Sequence, residues 1–479
     1  MIKDLVIGRP LDYFRQRWAS EGGYHHALRI AIPLIFSSAG IAIQQFVDRM
    51  FLAWYSPEAI AATMPAGLLN FTILNLFIGT AGYVSTFVAQ YWGAYLHDRI
   101  GPILWQGFYV AIIAAIIHLF FVPLADPFFR MIGHPSEVQS LEVIYFQIIC
   151  FGAGPIVANA VLAGFFIGQG KTLPVMIVSI IANIINMILN YLLIFGTWGF
   201  PELGVKGAAL ATLIANLVSL FTLSFLCFER KNNREFRILS GWRPDFPIFL
   251  RLLRFGLPNG LQFFISFAGI SVFLLLVGRL GTMALAATNI AFNINMLAFM
   301  PMSGLGMAAM TMVGQYQGKK RSDLAEKSVY SCFHLTNLYM ITLALAYVVI
   351  PEVFLWPFTV RADPASFGRI EEVVIVLLRF VAIYSLFDGL NIIFASGVKG
   401  AGDTRFVMVM IFGFSVLGLA LPTYIAMVVL RLGLMTAWTI ITVYIIILSF
   451  AFLFRFLSGK WKAMLVIDAK DRGKSASGQ

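Results

Sequence analysis

The 479-residue chain predicts an all-α integral membrane protein, with twelve transmembrane helices in two pseudo-twofold-related bundles of six. Three observations carry that expectation. Hydrophobic residues make up 59% of the chain and charged residues 12%, about half the charged share of a soluble protein. Apolar windows of 18 or more residues recur along its length, and each reads as a membrane helix. Finally, residues 33–98 recur without a gap at 258–323, an offset of 225, with fifteen of 66 paired positions identical.

Taken in order, residues 1–25 are a polar, amphipathic arm. It lacks an apolar core followed by a small-residue cleavage site, so no removable signal peptide is expected. Helices are expected at 27–54, 60–93, 101–126, 138–167, 173–196 and 204–229. After a polar linker at 230–247, six more follow at 248–280, 284–317, 326–352, 367–398, 405–430 and 434–458. Several approach 30 residues, more than the ~20 a bilayer requires, so they must tilt, bend or project. Residues 459–479 lose apolar periodicity and read as a disordered tail. The domains are therefore arm (1–25), N-lobe (26–229), linker (230–247), C-lobe (248–458) and tail (459–479).

The repeat supports this division. AlaIleAlaAlaThr at 59–63 matches AlaLeuAlaAlaThr at 284–288, and ValAlaGlnTyrTrpGly at 88–93 matches ValGlyGlnTyrGlnGly at 313–318. Later in each half, GlyGlnGlyLysThr (168–172) matches GlyAlaGlyAspThr (400–404), and Asn159 pairs with Asn391. Two parallel repeats of six helices imply a pseudo-twofold axis along the membrane normal, a transporter arrangement.

A formal charge of +11 does not imply nucleic acid, because the basic residues are spread over short loops. They gather in the arm (Arg15, Arg17), the linker (Arg230, Lys231, Arg234, Arg237, Arg243), the loop at Lys319–Arg321 and the tail (Lys460, Lys462). Loops such as 55–58 and 126–129 are poor in them. Both termini are thus expected to be cytoplasmic, which requires an even number of spans. Cys150, Cys227 and Cys332 sit singly in apolar runs and imply neither disulfides nor a metal site.

Two carboxylates stand out inside apolar segments, Asp48 in the first helix and Asp388 in the tenth. A charge at bilayer depth costs at least ~2.5 kcal/mol, so such residues usually face an interior and carry function. The second repeat has Phe273 where the first has Asp48. The structural alternative is an ion pair with Arg49, but neighbouring helical positions point about 100° apart. Asn183, Asn186 and Asn190 fall on one face of the fifth helix, with Asn159 and Thr212 on the helices either side of it in sequence. Amide and hydroxyl oxygens around a carboxylate suit a small hard cation or a proton. The amides alone could serve interhelical hydrogen bonding. His118 and His334 are solitary and read as hydrogen-bonded rather than catalytic. No Ser/His/Asp set or metal-ligand motif appears, so no enzyme and no cofactor are expected. The hinges at 168–172 and 400–404 lack the preceding strand of a phosphate loop and read as turns. Aromatic and methionine residues (Phe263, Phe267, Met296, Tyr384, Phe387) could line a cavity near Asp388.

These motifs resemble the multidrug and toxic compound extrusion (MATE) family. They are PheValAsp (46–48), ValAlaGlnTyrTrpGly (88–93), GlyLysThrLeuPro (170–174) leading to AsnMetIleLeuAsn (186–190), and LeuPheAspGly (386–389) before GlyAlaGlyAspThrArg (400–405). The resemblance covers about residues 25–458. It implies a monomeric multi-pass antiporter of the bacterial inner membrane, importing Na⁺ or H⁺ while exporting amphipathic organic compounds, cationic or neutral. It further implies a coupling site at Asp48, Asn159, Asn186, Asn190 and Thr212, with Na⁺ a candidate ligand of Asp48. A C-lobe cavity is implied at Asp388, with Ser266, Phe263, Tyr384 and Phe387. Two departures mark a mixed branch. The NorM-type branch has glutamate where Ser266 stands, and the DinF-type branch has aspartate where Asn190 stands. The overall sequence is also reminiscent of members that export natural-product precursors such as precolibactin. Competing readings are a lipid-linked oligosaccharide flippase, for which intrahelical cations are few (Arg49, Arg279, Arg379), and, more distantly, a membrane enzyme.

Overall fold

A computed structural model describes residues 16–359 and 364–468, and among these there are helices and turns but no strand. Twelve long helical segments run in chain order. They are α1 (Tyr24–Tyr55), α2 (Pro57–Gly93), α3 (Ile100–Phe121), α4 (Ser136–Phe151 with Ala153–Gly168), α5 (Leu173–Phe195), α6 (Val205–Cys227), α7 (Phe246–Gly278), α8 (Thr282–Gly318), α9 (Ser322–Val349), α10 (Pro364–Ala401), α11 (Thr404–Val429) and α12 (Leu434–Leu457). Ten are long and apolar enough to cross a membrane unaided, and α4 and α8 bring the number to twelve as bent pairs.

Both bends have a covalent cause. In α4 the axis turns by 40° between Phe151 and Ala153, and Pro155 follows four residues after Phe151. In α8 it turns by 42° between Met296 and Ala298, and Pro301 lies four residues after position 297. A proline has no N–H for the carbonyl four residues earlier and its ring crowds that carbonyl, so the helix breaks there. α11 departs from the expected plain helix. It passes through two π-helical stretches, Ser415–Ala420 and Ile425–Val429, on either side of Pro422. Short helices at Ala125–Ile132, Arg230–Phe236 and Pro351–Thr359 were not foreseen either.

Contacts divide the chain into two compact units. One, the Asp48 unit, comprises Phe36–Phe264 and the residues from Val466. The other, the Asp388 unit, comprises the residues up to Ile35 and Ile265–Leu465. The boundary falls inside α1 and α7, just past Pro33 and Pro258, rather than in the 230–247 linker. Each of these two helices therefore divides its length between both units.

The repeat is visible in side-chain packing within each unit. In the Asp48 unit α7 crosses α2 at glycines. A Cβ on Gly79 would lie 2.6 Å from the Gly260 Cα, and one on Gly260 would lie 2.2 Å from the Leu76 carbonyl oxygen. Asn259 Nδ2 adds a hydrogen bond of 2.8 Å to the Gly79 carbonyl. In the Asp388 unit the equivalent crossing joins α1 to α8, where a Cβ on Gly304 would lie 2.5 Å from Ile35 Cγ1. Gly304 is Gly79 moved by 225 positions, and Ile35 is the counterpart of Gly260. The core of the Asp388 unit contains Phe273, Val277, Tyr347, Leu377 and Trp438, all essentially inaccessible.

The terminal segments are more structured than their composition suggests. In the arm, Arg17 donates to Ser331 Oγ (3.3 Å) and to the Lys327 carbonyl (3.2 Å), both on α9. In the linker, Phe236 and Ile238 are buried, and Trp105 Nε1 donates to the Ile238 carbonyl at 2.8 Å. The expected disordered tail is folded as far as Asp468. Trp461 is fully buried, stacks on Phe456 at 5.0 Å and donates to the Phe456 carbonyl at 2.9 Å. A buried tryptophan supplies the apolar area that the polar residues around it lack. Val466 N donates to Gln90 Oε1 at 2.8 Å within the Asp48 unit. Residues 469–479, and 1–15 of the arm, lie outside the described residues.

Candidate functional site

The Asp48 unit gathers the first group of candidate residues. On α5, Asn186 and Asn190 are fully buried and Asn183 nearly so, as their spacing on one face requires. Asn190 Nδ2 donates to Asp48 Oδ1 and to Asn186 Oδ1 at 3.0 Å. Asn186 Nδ2 reaches Thr212 Oγ1 on α6 at 3.3 Å. One turn on, Asn216 Nδ2 donates to the Thr212 carbonyl at 2.8 Å, and the Asn216 carbonyl takes 2.9 Å from Asn159 Nδ2 on α4. A continuous polar chain thus runs Asp48, Asn190, Asn186, Thr212, Asn216, Asn159 through four helices. Asn159 lies at its far end and does not touch the carboxylate.

Asp48 takes its other side-chain hydrogen bond from Gln44, one turn earlier on α1. Arg49 is exposed and makes no ion pair with Asp48 among the described residues, so the structural alternative of an adjacent ion pair is not realised. Two amide oxygens of the chain, Asn190 Oδ1 and Asn159 Oδ1, are buried without a donor. An unmatched buried polar atom costs about 1–3 kcal/mol. Asn190 Oδ1, on the residue that bonds Asp48, joins the carboxylate as a hard oxygen donor of the kind a small cation requires. Opposite Asp48 in the repeat, Phe273 is fully buried in an apolar core, so only one unit keeps a charge at this level.

The second group is only partly assembled. In the Asp388 unit, Asp388 Oδ1 accepts from Asn391 Nδ2 at 3.2 Å on the same helix. Tyr384 and Tyr444 are its electrostatic neighbours, and Tyr384 is buried. Ser449 Oγ donates to the Phe387 carbonyl at 2.8 Å, and Phe387 meets Phe450 at 5.9 Å. The hydroxyls of Ser385 and Thr336 are buried without partners. Ser266 is half-buried on α7. Phe263 belongs to the Asp48 unit, where it packs beside Gly79, so it is not brought to Asp388 within one unit.

Several residues escaped the sequence reading. Asn216 is one turn beyond Thr212 on the same face, a spacing that could have marked it. Glu142 is a third carboxylate in the helical interior, fully buried and bonded to His134 Nδ1 at 2.8 Å. It falls in the first turns of the helix expected at 138–167, just after the polar run SerGluValGlnSer (136–140), where a carboxylate reads as part of the solvated helix end. His118 and His334 are hydrogen-bonded as expected, to the Ala114 carbonyl and to Tyr24.

Comparison with known proteins agrees with this architecture. The MatE family description matches residues 33–192 and 258–425, one copy in each half of the chain. The probable multidrug resistance protein NorM of Thermotoga maritima is 27% identical over 443 residues, covering 92% of this chain and 93% of that protein. The multidrug resistance protein NorM of Burkholderia vietnamiensis is 28% identical over 396 residues, covering 82% and 85%. Among solved structures, a MOP superfamily transporter from Pyrococcus furiosus superposes with a TM-score of 0.82 at 21% identity, over 94% of this chain and 98% of that one. A multidrug resistance MATE family transporter in an outward-facing conformation gives 0.82 at 20% identity, over 93% and 98%. With both repeats matched and nearly its whole length aligned, the chain belongs to the MatE family and is a multi-pass membrane transporter, not an enzyme.

Proposed function

We propose that this transporter exports amphipathic organic compounds against an inward flow of Na⁺ or H⁺, with Asp48 as the coupling group. The observation that carries the reading is the Asp48 carboxylate at the head of a buried amide chain that retains unmatched oxygens. A ligand shifts a conformational equilibrium only through its differential affinity for the two states. An unoccupied carboxylate in this low-dielectric setting is an anion short of partners, and a bound cation or proton neutralises it. Occupancy can therefore bias α1, whose backbone ladder is already interrupted at Pro33. The multidrug resistance names of the NorM relatives support an organic export substrate. Asp388 is the group proposed to meet cationic substrates. We place both termini on the cytoplasmic side of the inner membrane, on the distribution of Lys and Arg, and read the working unit as a monomer.

The test uses purified protein in vesicles under imposed Na⁺ or pH gradients. Asp48→Asn keeps the shape and removes the charge. It is expected to fold and to bind a fluorescent organic cation within about threefold of wild type, while gradient-driven efflux falls by roughly a hundredfold, about 2.7 kcal/mol of coupling. Wild-type efflux from Asp48→Asn would assign coupling elsewhere.

A further inference from the structure

Outside the polar chain, one carboxyl–imidazole pair in the Asp48 unit has no role so far. Glu142 is completely inaccessible, whereas the His134 side chain that bonds to it is 38% exposed. Burying a carboxylate is expensive unless every lone pair is matched. Here His134 Nδ1 serves Oε1 at 2.8 Å, and Oε2 is buried with no partner at all. A buried carboxyl with one unmatched oxygen and one hydrogen-bonded imidazole at the surface is the arrangement for passing a proton inward.

What lies beyond Glu142 continues the route. Tyr145 is three residues further along the same helix and on the same face, which brings its Cβ to about 5–6 Å from that of Glu142. Its ring packs into two apolar clusters at once, one with Leu52, Ala59 and Ile194, the other with Ala66, Phe129 and Phe146. Asp48 and Arg49 of α1 are its electrostatic neighbours. The phenol therefore lies one helical turn from the buried carboxyl, within electrostatic range of the head of the polar chain and walled by hydrocarbon.

Charges on the surrounding elements do not compete for Glu142. The short helix Ala125–Ile132 carries Asp126 and Arg130, which pair with each other at 2.9 Å and are exposed. The first half of α2 offers only Glu58, exposed near its start, α6 only Lys206, also exposed near its start, and α3 only the buried His118. None of these forms an ion pair with Glu142 or His134 among the described residues.

We propose that His134, Glu142 and Tyr145 form a proton path from the loop between α3 and α4 to the Asp48 end of the polar chain. A proton from solvent binds Nε2 of His134, and the Nδ1–H bond breaks as its proton moves to Glu142. The imidazole is left neutral and the carboxyl protonated. That proton then passes to the Tyr145 oxygen while the phenol's own proton leaves toward the polar chain, and Glu142 returns to carboxylate. One proton enters, one is delivered, and no electrons change hands. The proposal rests on the reading of Asp48 as the coupling group and names H⁺ as the coupling ion. His134, Glu142 and Tyr145 are then positioning residues for proton delivery rather than parts of the substrate site.

Stopped-flow pH jumps on the full-length protein in detergent, followed with a soluble pH dye, separate this from a structural role. A relay changes the rate of proton uptake and leaves its equilibrium extent unchanged, apart from any titratable group the variant itself removes. Glu142→Gln and Tyr145→Phe are expected to slow uptake at least roughly tenfold, with the number of protons bound at equilibrium lowered by no more than one for Glu142→Gln and unchanged for Tyr145→Phe. His134→Gln should slow uptake similarly. Tyr145→Phe keeps the ring packing and so answers the question even if Glu142→Gln folds poorly. Wild-type uptake rates in Tyr145→Phe would overturn the path. Asp48→Asn separates the two claims. Should it lose coupled efflux while Tyr145→Phe behaves as wild type, the path fails and the coupling group stands. Should it retain efflux, the coupling group itself is wrong.

Discussion

Asn190 spends both of its amide hydrogens inside the unit, one on Asp48 and one on Asn186, and its own oxygen has no donor. Truncating it removes the only cross-helix side-chain donor to the carboxylate among the described residues, whereas truncating Asn159 touches the far end of the chain. Asn190→Ala is therefore expected to reduce gradient-driven efflux at least tenfold, and Asn159→Ala no more than about threefold, since coupling falls with each intervening hydrogen bond. Efflux from matched vesicles checks the ranking, and the reverse order would place the cation near Asn159. Asp388 is tested by charge. Asp388→Asn should weaken transport of cationic substrates several-fold more than neutral ones, because it removes the charge and keeps the volume. Equal losses for both classes would assign Asp388 to coupling or folding.

At the scale of helices, the α2–α7 crossing depends on the absence of side chains. A Cβ on Gly260 would come 2.2 Å from the Leu76 carbonyl oxygen and 2.6 Å from Thr80 Oγ1, so Gly260→Ala must push two helices apart. A loss of about 1–3 kcal/mol of stability is expected, the usual cost of overpacking. Gly82, at the end of the Pro57–Gly82 part of α2, has nothing within 4 Å of its virtual Cβ, and Gly82→Ala should be neutral or slightly stabilising. Thermal melting in detergent distinguishes them, and similar melting points for both variants would show that the crossing yields easily. How much of this was readable in advance depended on where the information lies. Twelve segments followed from apolar length alone, and the repeat placed Gly79 and Gly304 in register. The bends required knowing which carbonyl each proline abandons, and the π-helical stretches of α11 have no one-dimensional signature.

For the molecule as a whole, the least legible part was the set of polar connections. Composition assigned the tail to disorder, yet Trp461 is buried to 0% exposure and its carbonyl accepts from Gln317 at 3.0 Å. One aromatic residue among charged ones is invisible to a windowed average and decisive in three dimensions. Trp461→Ala should cost about 3–5 kcal/mol, in the range of other buried aromatic truncations. A melting point within 1–2 °C of wild type, on the order of ΔΔG below 1 kcal/mol, would mean that the tail is held by other contacts. The candidate site divides in the same way. Asp48 and the asparagines of α5 could be picked out because polarity is rare in an apolar run. Glu142 could not, because it follows a polar run at the start of its helix and only the folded structure shows it to be buried.

The three thiols offer a use of a different kind. Cys150 and Cys227 belong to the Asp48 unit and Cys332 to the Asp388 unit, and all three are free and buried. Alkylation requires an accessible thiolate, so the folded protein should be nearly silent toward maleimides without any cysteine being replaced. Each thiol becomes reactive only when its own surroundings open. Peptide-resolved labelling along a denaturant series would then read the unfolding of each half of the chain separately, with the duplicated architecture supplying its own internal reporters.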